Sequence, residues 1–302
     1  MGLKDFVDTS RDWVQAEGAQ GLKYSLNQLY MGLLRRTTPF FPPGTNVYDK
    51  EWDLLLLIDG CRVDAIEEVA DEYSFLDNPG TNRSTASTSW EWMKTTFTSE
   101  HADDISKSIY VTANQHSEKV SEEPFIAFED VYNYGWDNGV RTIPAETVTD
   151  TAIRLGREFR DEHERMIVHY MQPHFPSVPK PIGHGDKFDN VWKSLMIGTR
   201  DVDQVWDSYI ENLRYVLDSI EVLLENIDAE TVAISADHGN AKGEWWVYGH
   251  PHGMPLDCLR EVPWYTTTAT DRGKRIPEEI QTEEKPDQSE INERLKALGY
   301  RA

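Results

Sequence analysis

The sequence has 302 residues, with 53 acidic side chains against 30 basic ones and a formal net charge of −23. Nucleic-acid binding depends on basic patches that contact phosphates, so it is not expected here. A hydrophobic content of 39% with ten tryptophans excludes an intrinsically disordered acidic protein. The length suits one large domain, or one domain with a small appendage.

The acidic residues are spread along the whole chain, so the negative charge is a property of the entire surface. This pattern indicates the high-salt cytoplasm of a halophilic archaeon, where the Debye length falls to about 3 Å in molar salt and carboxylate repulsion is screened. An ordinary acidic cytosolic protein is the alternative.

A cytoplasmic location is predicted from the cysteines and the N-terminus. Cys61 and Cys258 are the only cysteines, and their separation allows no disulfide framework and no Cys-x-x-Cys metal site. The N-terminal residues lack the apolar core of a signal peptide, and no stretch is long and apolar enough for a membrane span.

The first element is an N-terminal extension, predicted over residues 1–45 as one or two amphipathic helices. Apolar side chains recur there at helical spacing, most clearly Leu22, Leu26, Tyr30, Leu33 and Leu34. A stripe of this kind usually packs on its own domain, and that is the prediction. The alternative is docking on a membrane surface or a partner, which Arg35 and Arg36 would favour.

Strands and helices then alternate along the chain. The apolar run 52–58 predicts a strand buried on both faces, and similar strands are predicted at 109–112, 166–170 and 231–235. Helical patterns fall between them, at 62–72, 88–97, 146–163 and 202–227. The alternation predicts a doubly wound α/β/α sandwich with a mostly parallel sheet, forming a catalytic domain over 46–270. Residues 271–302 are predicted to be a polar linker and a C-terminal helix.

Acids and imidazoles follow the predicted strands where these end. Asp59 ends the first strand, His169 and His174 lie at the end of the third, and Asp237–His238 follow the last. A carboxylate in such a position is unfavourable unless it is paired, so a shared cation at one sheet edge explains the convergence. Taken singly, Asp59 could cap a helix, His174 could be a structural histidine and Asp237 could hold a turn.

Four segments of the chain resemble a known family. They are LLLLIDGCRVDA around Asp59, RSTASTSWEWM at 83–93, HYMQPHFP at 169–176 and ISADHGNAKGEWWVYGHPHG at 234–253. Their order resembles that of the sulfatase-like branch of the alkaline phosphatase superfamily, which includes sulfatases, lipoteichoic-acid-synthase-like enzymes and phosphonate monoester hydrolases. The resemblance covers roughly residues 50–265.

The resemblance implies a metal site and a nucleophile. Asp59, Asp237 and His238 match ligands of one divalent ion, with Mn²⁺ expected first and Zn²⁺, Mg²⁺ or Ca²⁺ as alternatives. In lipoteichoic-acid-synthase-like members the nucleophile stands four residues before a Glu-aromatic-Met triplet. Counting back from Glu91 selects Ser87, which would also contact the ion, while Thr88, Ser84 and Ser89 remain alternatives. A helix N-terminus favours an alkoxide there, and the structural explanation is an N-cap.

The resemblance also suggests residues that would contact the ester. His174 and His250 would donate hydrogen bonds to its oxygens or protonate the leaving group. Arg62 would hold a phosphoryl oxygen, or else pair with Asp64 or Glu67. Gln172 stands where many relatives have an acid, so one metal ion is expected instead of two.

The predicted function is that of a metal-dependent hydrolase or transferase of phosphate esters, acting through a covalent phosphoseryl intermediate. The chain lacks the Cys/Ser-x-Pro-x-Arg motif from which formylglycine is made, so an unmodified hydroxyl is implied. The expected partner is an anionic ester, a phosphorylated or sulfated glycan, lipid or small molecule, and peripheral membrane contact is compatible with the sequence. The alternatives are a sulfatase and a non-catalytic binding or assembly protein.

Overall fold

The structure is a computed structural model that describes residues 3–120, 124–182, 190–278 and 288–298. Within these ranges the strands are β1 Leu54–Ile58, β2 Thr81–Arg83, β3 Ser108–Thr112, β4 Ala127–Asp130, β5 Arg165–Tyr170, β6 Ala229–Ser235, β7 Ala241–Lys242, β8 Tyr248–Gly249 and β9 Glu261–Ala269. The α-helices are α1 Leu3–Glu17, α2 Ala19–Arg35, α3 Val63–Val69, α4 Ser89–Thr96, α5 Ala102–Ser106, α6 Ala145–Glu158, α7 Val191–Ile197, α8 Val202–Leu224, α9 Asp257–Arg260 and α10 Gln288–Ala297.

Seven strands form the main sheet, in the order β2-β9-β6-β1-β5-β3-β4. The five strands from β6 to β4 are parallel, whereas β9 is antiparallel to β6 and β2 is antiparallel to β9. The predicted α/β class with a mostly parallel sheet is therefore confirmed. The strands β2, β4, β7, β8 and β9 were not predicted, because they are short or their sequences mix polar and apolar residues.

The central strand β1 is buried on both faces, which explains its unbroken apolar sequence. Leu56 belongs to a core cluster that contains Ile153 of α6 and Leu213 of α8. Leu55 points to the opposite face and belongs to a second cluster with Trp92 of α4. Helices therefore cover both faces of the sheet, as in the predicted sandwich.

The N-terminal helices α1 and α2 form a hairpin that lies against the main domain. They cross closely at Gly21, where an added Cβ would lie 2.0 Å from the Trp13 carbonyl oxygen. On the main domain, Asn27 Nδ2 donates to the Trp246 carbonyl at 2.6 Å. Met31 packs in a small apolar cluster with residues of the same loop region, so the buried side of α2 faces the segment after β7.

The predicted apolar stripe of this region is divided between two environments. Tyr30 and Leu34 pack against the same small cluster, whereas Leu22, Leu26 and Leu33 are exposed. No helix in the described ranges has both the length and the apolar character needed to cross a membrane. At the C-terminus, α10 overlaps the predicted helix, and residues 279–287 of the predicted linker lie outside the described residues.

Candidate active site

Three neighbouring strands at the centre of the sheet carry the candidate site. Asp59 directly follows β1, Asp237 follows β6 by two residues, and His169 lies near the end of β5. Because β1 is hydrogen-bonded to β5 on one side and to β6 on the other, their carboxyl ends lie together. The strand-end argument had placed Asp59 and Asp237 at this edge.

Two carboxylates and two imidazoles form a buried cluster there, and all four residues have no exposed surface. His169 Nε2 lies 3.6 Å from Asp237 Oδ2 and 3.9 Å from Asp59 Oδ2. His238 Nε2 lies 3.5 Å from Asp237 Oδ2 and 3.8 Å from Asp59 Oδ1. These separations are too long for good hydrogen bonds and leave space for a central cation.

The unpaired atoms of this cluster fit a metal ion. Among the described residues, Asp59 Oδ1, Asp237 Oδ2 and His169 Nε2 are buried without a hydrogen-bond partner. Ligand atoms of these three residues lie within 4.8 Å of one another. An unsatisfied buried polar group costs about 1–3 kcal/mol, so three in one cluster require an explanation. Oxygen and imidazole-nitrogen donors are what a divalent ion such as Zn²⁺ or Mn²⁺ takes.

The imidazole of His238 is oriented so that its Nε2 could also contact a cation. Its Nδ1 lies 2.8 Å from the Gly239 carbonyl oxygen, which accepts a hydrogen bond and so places the proton on Nδ1. The lone pair of Nε2 then faces both carboxylates. Without a cation this arrangement is repulsive, whereas a bound cation makes it favourable.

The two carboxylates differ in their pKa. Burial and the neighbouring charge of Asp237 raise the pKa of Asp59 well above its ordinary value, despite hydrogen bonds from Asn114 and Ser89. Burial would also raise the pKa of Asp237, but His238, His169 and the Gly60 N–H outweigh it and hold this pKa below its ordinary value. Without a cation, Asp59 is therefore the carboxyl group that takes up a proton, and Asp237 stays ionised.

Backbone and amide groups fix the direction of each carboxylate. Asn114 Nδ2 donates to Asp59 Oδ2 at 2.7 Å, and Asp237 Oδ1 accepts from Gly60 N at 3.1 Å and from its neighbour's backbone N–H at 2.9 Å. Gly60 has a φ of 68°, and a Cβ there would lie 2.5 Å from Asn240 Nδ2. Glycine is therefore required directly after Asp59.

The hydroxyl beside the cluster belongs to Ser89. Its Oγ lies 3.2 Å from Asp59 Oδ2 and 3.3 Å from His238 Nε2, and the residue is 1% exposed. Ser89 is the first residue of α4, and Thr88 is the N-cap, its side chain accepting from the Glu91 N–H. The hydroxyl thus lies at the positive end of this helix.

The expected position of Ser87 beside the carboxylates is occupied by Ser89 instead. Ser87 Oγ donates toward the Pro251 carbonyl at 2.9 Å and lies 3.1 Å from Glu91 Oε2, and it accepts from Met254 N. These bonds tie the turn before α4 to the loop after β8. The structure therefore brings Ser89 instead of Ser87 to the carboxylates, because α4 begins two residues after Ser87. The role of Ser87 as nucleophile and ligand stays a prediction.

The histidines expected to contact the ester form a neutral pair. His174 Nδ1 lies 2.7 Å from the Phe175 carbonyl oxygen, which fixes the proton on Nδ1. Its Nε2 lies 3.1 Å from His250 Nε2, so in the neutral pair His250 is the donor. Burial, reinforced by the charge of His238, lowers the pKa of His174 to about 4 and that of His250 well below its ordinary value. The His250 ring stacks on His238 with centroids 4.5 Å apart.

Arg62 points away from the cluster and is part of a structural network. Its guanidinium forms a two-pronged pair with Asp64, contacts Glu244 Oε1 at 2.8 Å and donates to the Asn240 carbonyl. The pair with Asp64 was the structural alternative for this residue. Gln172 is likewise engaged with the backbone, donating to the Ile143 carbonyl at 2.8 Å.

Arg62→Gln is expected to lower the free energy of unfolding by about 1–3 kcal/mol, because the Asn240 carbonyl and Glu244 lose a buried donor. Urea unfolding measures the change. Arg154→Gln serves as the control, because it removes a more exposed ion pair and should change the free energy of unfolding by less than about 0.5 kcal/mol. A variant of unchanged stability whose KM for a phosphate ester rises more than about tenfold would instead place Arg62 on the substrate.

Two residues of this site were not assigned by sequence reasoning. His169 was noted at a strand end but given no role, because it lies inside an apolar strand where a histidine is usually structural. Asn114 follows β3, the next strand of the sheet, and the strand-end rule applied to that strand would have found it. The capping-box pattern Thr88-x-x-Glu91 would have located the start of α4 and so Ser89.

No protein-family model matches the sequence, and no curated protein matches it. Among solved structures, the chain is similar to the integral membrane protein lipooligosaccharide phosphoethanolamine transferase A from Neisseria meningitidis. The TM-score is 0.51 at 13% identity, over 89% of this chain and 59% of that chain.

Two further solved structures are similar over much of the chain. The lipoteichoic acid synthase from Listeria monocytogenes matches with a TM-score of 0.43 at 12% identity, covering 83% of this chain and 72% of that one. A protein of the alkaline phosphatase superfamily from Vibrio parahaemolyticus matches with a TM-score of 0.40 at 11% identity, covering 91% and 76%.

At these identities the likeness concerns the fold alone, and the match to the Neisseria transferase carries it. The chain has the mixed α/β fold with a mostly parallel sheet that this transferase shares. The proteins with similar structures are transferases, sulfatases and other members of the alkaline phosphatase superfamily.

Proposed function

We propose that this protein is a metal-dependent transferase or hydrolase of phosphate esters, with Ser89 as its nucleophile. The proposal rests above all on one observation. The buried hydroxyl of Ser89 contacts both a carboxylate, Asp59, and an imidazole, His238, of the cluster that could hold a cation. A structural N-cap does not explain Ser89, since Thr88 already caps α4.

The proposed metal site comprises Asp59, Asp237, His238 and His169. When bound, a divalent ion would supply Lewis-acid stabilisation of negative charge and favour ionisation of the serine hydroxyl. With two imidazoles in the set, Zn²⁺ becomes a better candidate than the Mn²⁺ expected from the sequence, because zinc favours nitrogen donors more strongly.

In the proposed reaction, Ser89 Oγ forms a bond to phosphorus as the bond from phosphorus to the ester oxygen breaks. The Ser89 hydroxyl already donates to Asp59 Oδ2, so an acceptor for its proton is in place. The first turn of α4 presents backbone N–H groups and the positive end of the helix dipole to the phosphoryl oxygens. Water or an acceptor alcohol then displaces the serine.

The His174–His250 pair would assist the leaving group. Both rings are neutral near pH 7, because burial holds the pKa of His174 at about 4 and that of His250 well below its ordinary value. His250 Nε2–H donates to His174 Nε2, and the His250 ring is stacked on His238. On substrate binding this N–H would exchange its acceptor, His174 Nε2, for the departing oxygen, and it would then donate a hydrogen bond without adding positive charge.

The proposal is tested by stripping the protein of metal with a chelator and reloading it with Zn²⁺, Mn²⁺, Mg²⁺ or Ca²⁺ separately. Chromogenic phosphate monoesters, phosphate diesters and sulfate esters are then offered in high KCl and in ordinary buffer. We expect turnover of a phosphate ester that disappears on stripping and returns with one of the ions. Turnover of sulfate esters alone would identify a sulfatase, and a tightly bound ion without turnover of any ester would favour a non-catalytic role.

A further inference from the structure

Exposed apolar side chains are concentrated in the N-terminal region. Eight of the eleven exposed large hydrophobic residues in the described ranges lie between residues 7 and 41: Val7, Val14, Leu22, Leu26, Leu29, Leu33, Phe40 and Phe41. Phe40 is 88% exposed, and the four leucines are each about half exposed. Single exposed apolar residues are ordinary, but a contiguous set marks an interaction surface.

Four leucines form one row along α2. Leu22, Leu26, Leu29 and Leu33 follow one another at steps of four, three and four residues, which places them on a single face of the helix. Met31 is buried and lies on the opposite side, toward the main domain. The leucine row therefore faces outward, and it stays exposed although the helix is docked.

The charge of α2 and of the segment after it differs from the charge of the rest of the chain, including α1, which carries Asp8 and Asp12. Residues 18–48 contain Lys23, Arg35 and Arg36 and no acidic residue, in a chain with 53 acidic side chains. An outward row of leucines, two aromatic residues and three cations matches a helix that lies in a membrane interface. A second copy would bring the same cations against these cations, so the charge favours an anionic surface over self-association.

We infer that the leucine face of α2, together with Phe40 and Phe41, binds an anionic lipid surface with α2 lying in the plane of the interface. This inference rests on exposure and charge at α2 and is independent of the proposed function. Repulsion between acidic side chains and the lipid is screened beyond about one Debye length, about 8–10 Å at moderate salt.

Hydrogen bonds connect the end of α2 and the residues after it to the loop that carries His250. Arg35 Nε donates to the His252 carbonyl at 2.7 Å, and Thr38 Oγ1 donates to the Gly253 carbonyl at 2.7 Å. Both contacts lie within three residues of His250. A lipid surface bound by α2 would thus hold the loop that carries His250 close to the membrane.

Flotation of the full chain with lipid vesicles tests the inference. We expect the protein to float with vesicles of phosphatidylcholine and phosphatidylglycerol, and to float much less with phosphatidylcholine alone. Leu26→Glu combined with Leu29→Glu should reduce binding by at least about tenfold, because charges replace the centre of the apolar row. Ile276→Glu is the matched control, since Ile276 is 87% exposed outside the N-terminal region, and it should bind as the wild type does.

Further variants keep the test decisive. If the double variant does not fold, as judged by circular dichroism, Phe40→Ser replaces it, because Phe40 lies outside the helix and makes little packing contact at 88% exposure. Absence of flotation of the wild type, or equal flotation of wild type and variant, overturns the inference. It is also overturned if sedimentation equilibrium shows a wild-type dimer that Leu26→Glu dissociates, because the leucine row would then be a contact between two copies.

Discussion

Ser89→Ala is expected to lower phosphate-ester turnover by at least about four orders of magnitude, since removal of a nucleophile leaves only binding and electrostatic stabilisation. Ser87→Ala, two residues earlier on the same turn, should keep turnover within about tenfold of wild type. The reason lies in their partners: Ser89 contacts Asp59 and His238, whereas Ser87 contacts Pro251, Glu91 and Met254. Steady-state kinetics on the best ester from the metal screen measures both.

The pair of serine variants contains its own control, because both remove one hydroxyl from the same turn. Metal content is measured in each, so that loss of the ion is separated from loss of the nucleophile. A phosphorylated peptide spanning residues 84–93, trapped by acid quench during turnover, would identify the attacked serine directly. Loss of turnover in Ser87→Ala with retention in Ser89→Ala would restore the assignment made from the family's spacing.

Asp237→Asn is expected to abolish metal binding at micromolar ion and to remove turnover with it. The amide keeps the shape of the carboxylate, and its Oδ1 can still accept from Gly60 and from the backbone N–H of His238. It lacks the negative charge of Oδ2, which faces both imidazoles. We therefore expect a loss of affinity of more than about a hundredfold without unfolding, measured by calorimetry and by metal analysis.

Asp64→Asn is the matched control, because Asp64 is also near the site in sequence but pairs with Arg62 at the surface. Its metal affinity should equal that of the wild type. His169→Gln and His238→Gln test the two imidazoles separately. If His169 is a ligand, His169→Gln should lower the metal affinity about as much as His238→Gln does. Unchanged affinity in Asp237→Asn would contradict the proposed metal site, whatever the kinetics show.

The central part of the fold could be predicted because β1 and its neighbours are buried on both faces. A strand in that position carries an unbroken apolar sequence, and Asp59 and Asp237 mark where two such strands end. The predicted helices at 62–72, 88–97 and 202–227 correspond to α3, α4 and α8. β2, β4 and β9 escaped prediction because their sequences mix polar and apolar residues and lack the unbroken apolar run of β1.

The site was predicted less completely, for physical reasons that differ among residues. The sequence indicated Asp59, Asp237 and His238, and the structure brings these three together, although their binding of an ion stays a prediction. His169 was placed at the same sheet edge by the strand-end argument but was given no ligand role, because a histidine within an apolar strand is usually structural. Ser89 was weighed only as an alternative to Ser87, because residue counting from a family motif took no account of the helix cap at Thr88.

Other sequence-based expectations concern the cellular environment and the source of the protein, which the fold does not determine. A high-salt cytoplasm and a halophilic archaeal source were inferred from the spread of acidic side chains, and they stay predictions. The N-terminal stripe was expected to pack on its own domain. The structure packs Tyr30 and Leu34 in this way but leaves the leucine row outside, which the helical period alone could not distinguish.

The position of the four cluster residues on three strands also affects the unfolded chain. Asp59, His169 and Asp237 are far apart in sequence, so the unfolded chain would have to close long loops before they could meet, at a cost in conformational entropy. An ion held by this cluster would bind the native state and not the unfolded one, so it would stabilise the fold by an amount that grows with the ratio of free ion to its Kd. The ion that is proposed for chemistry would thus also stabilise the middle of the sheet, and the free energy of unfolding would depend on the concentration of free metal ion.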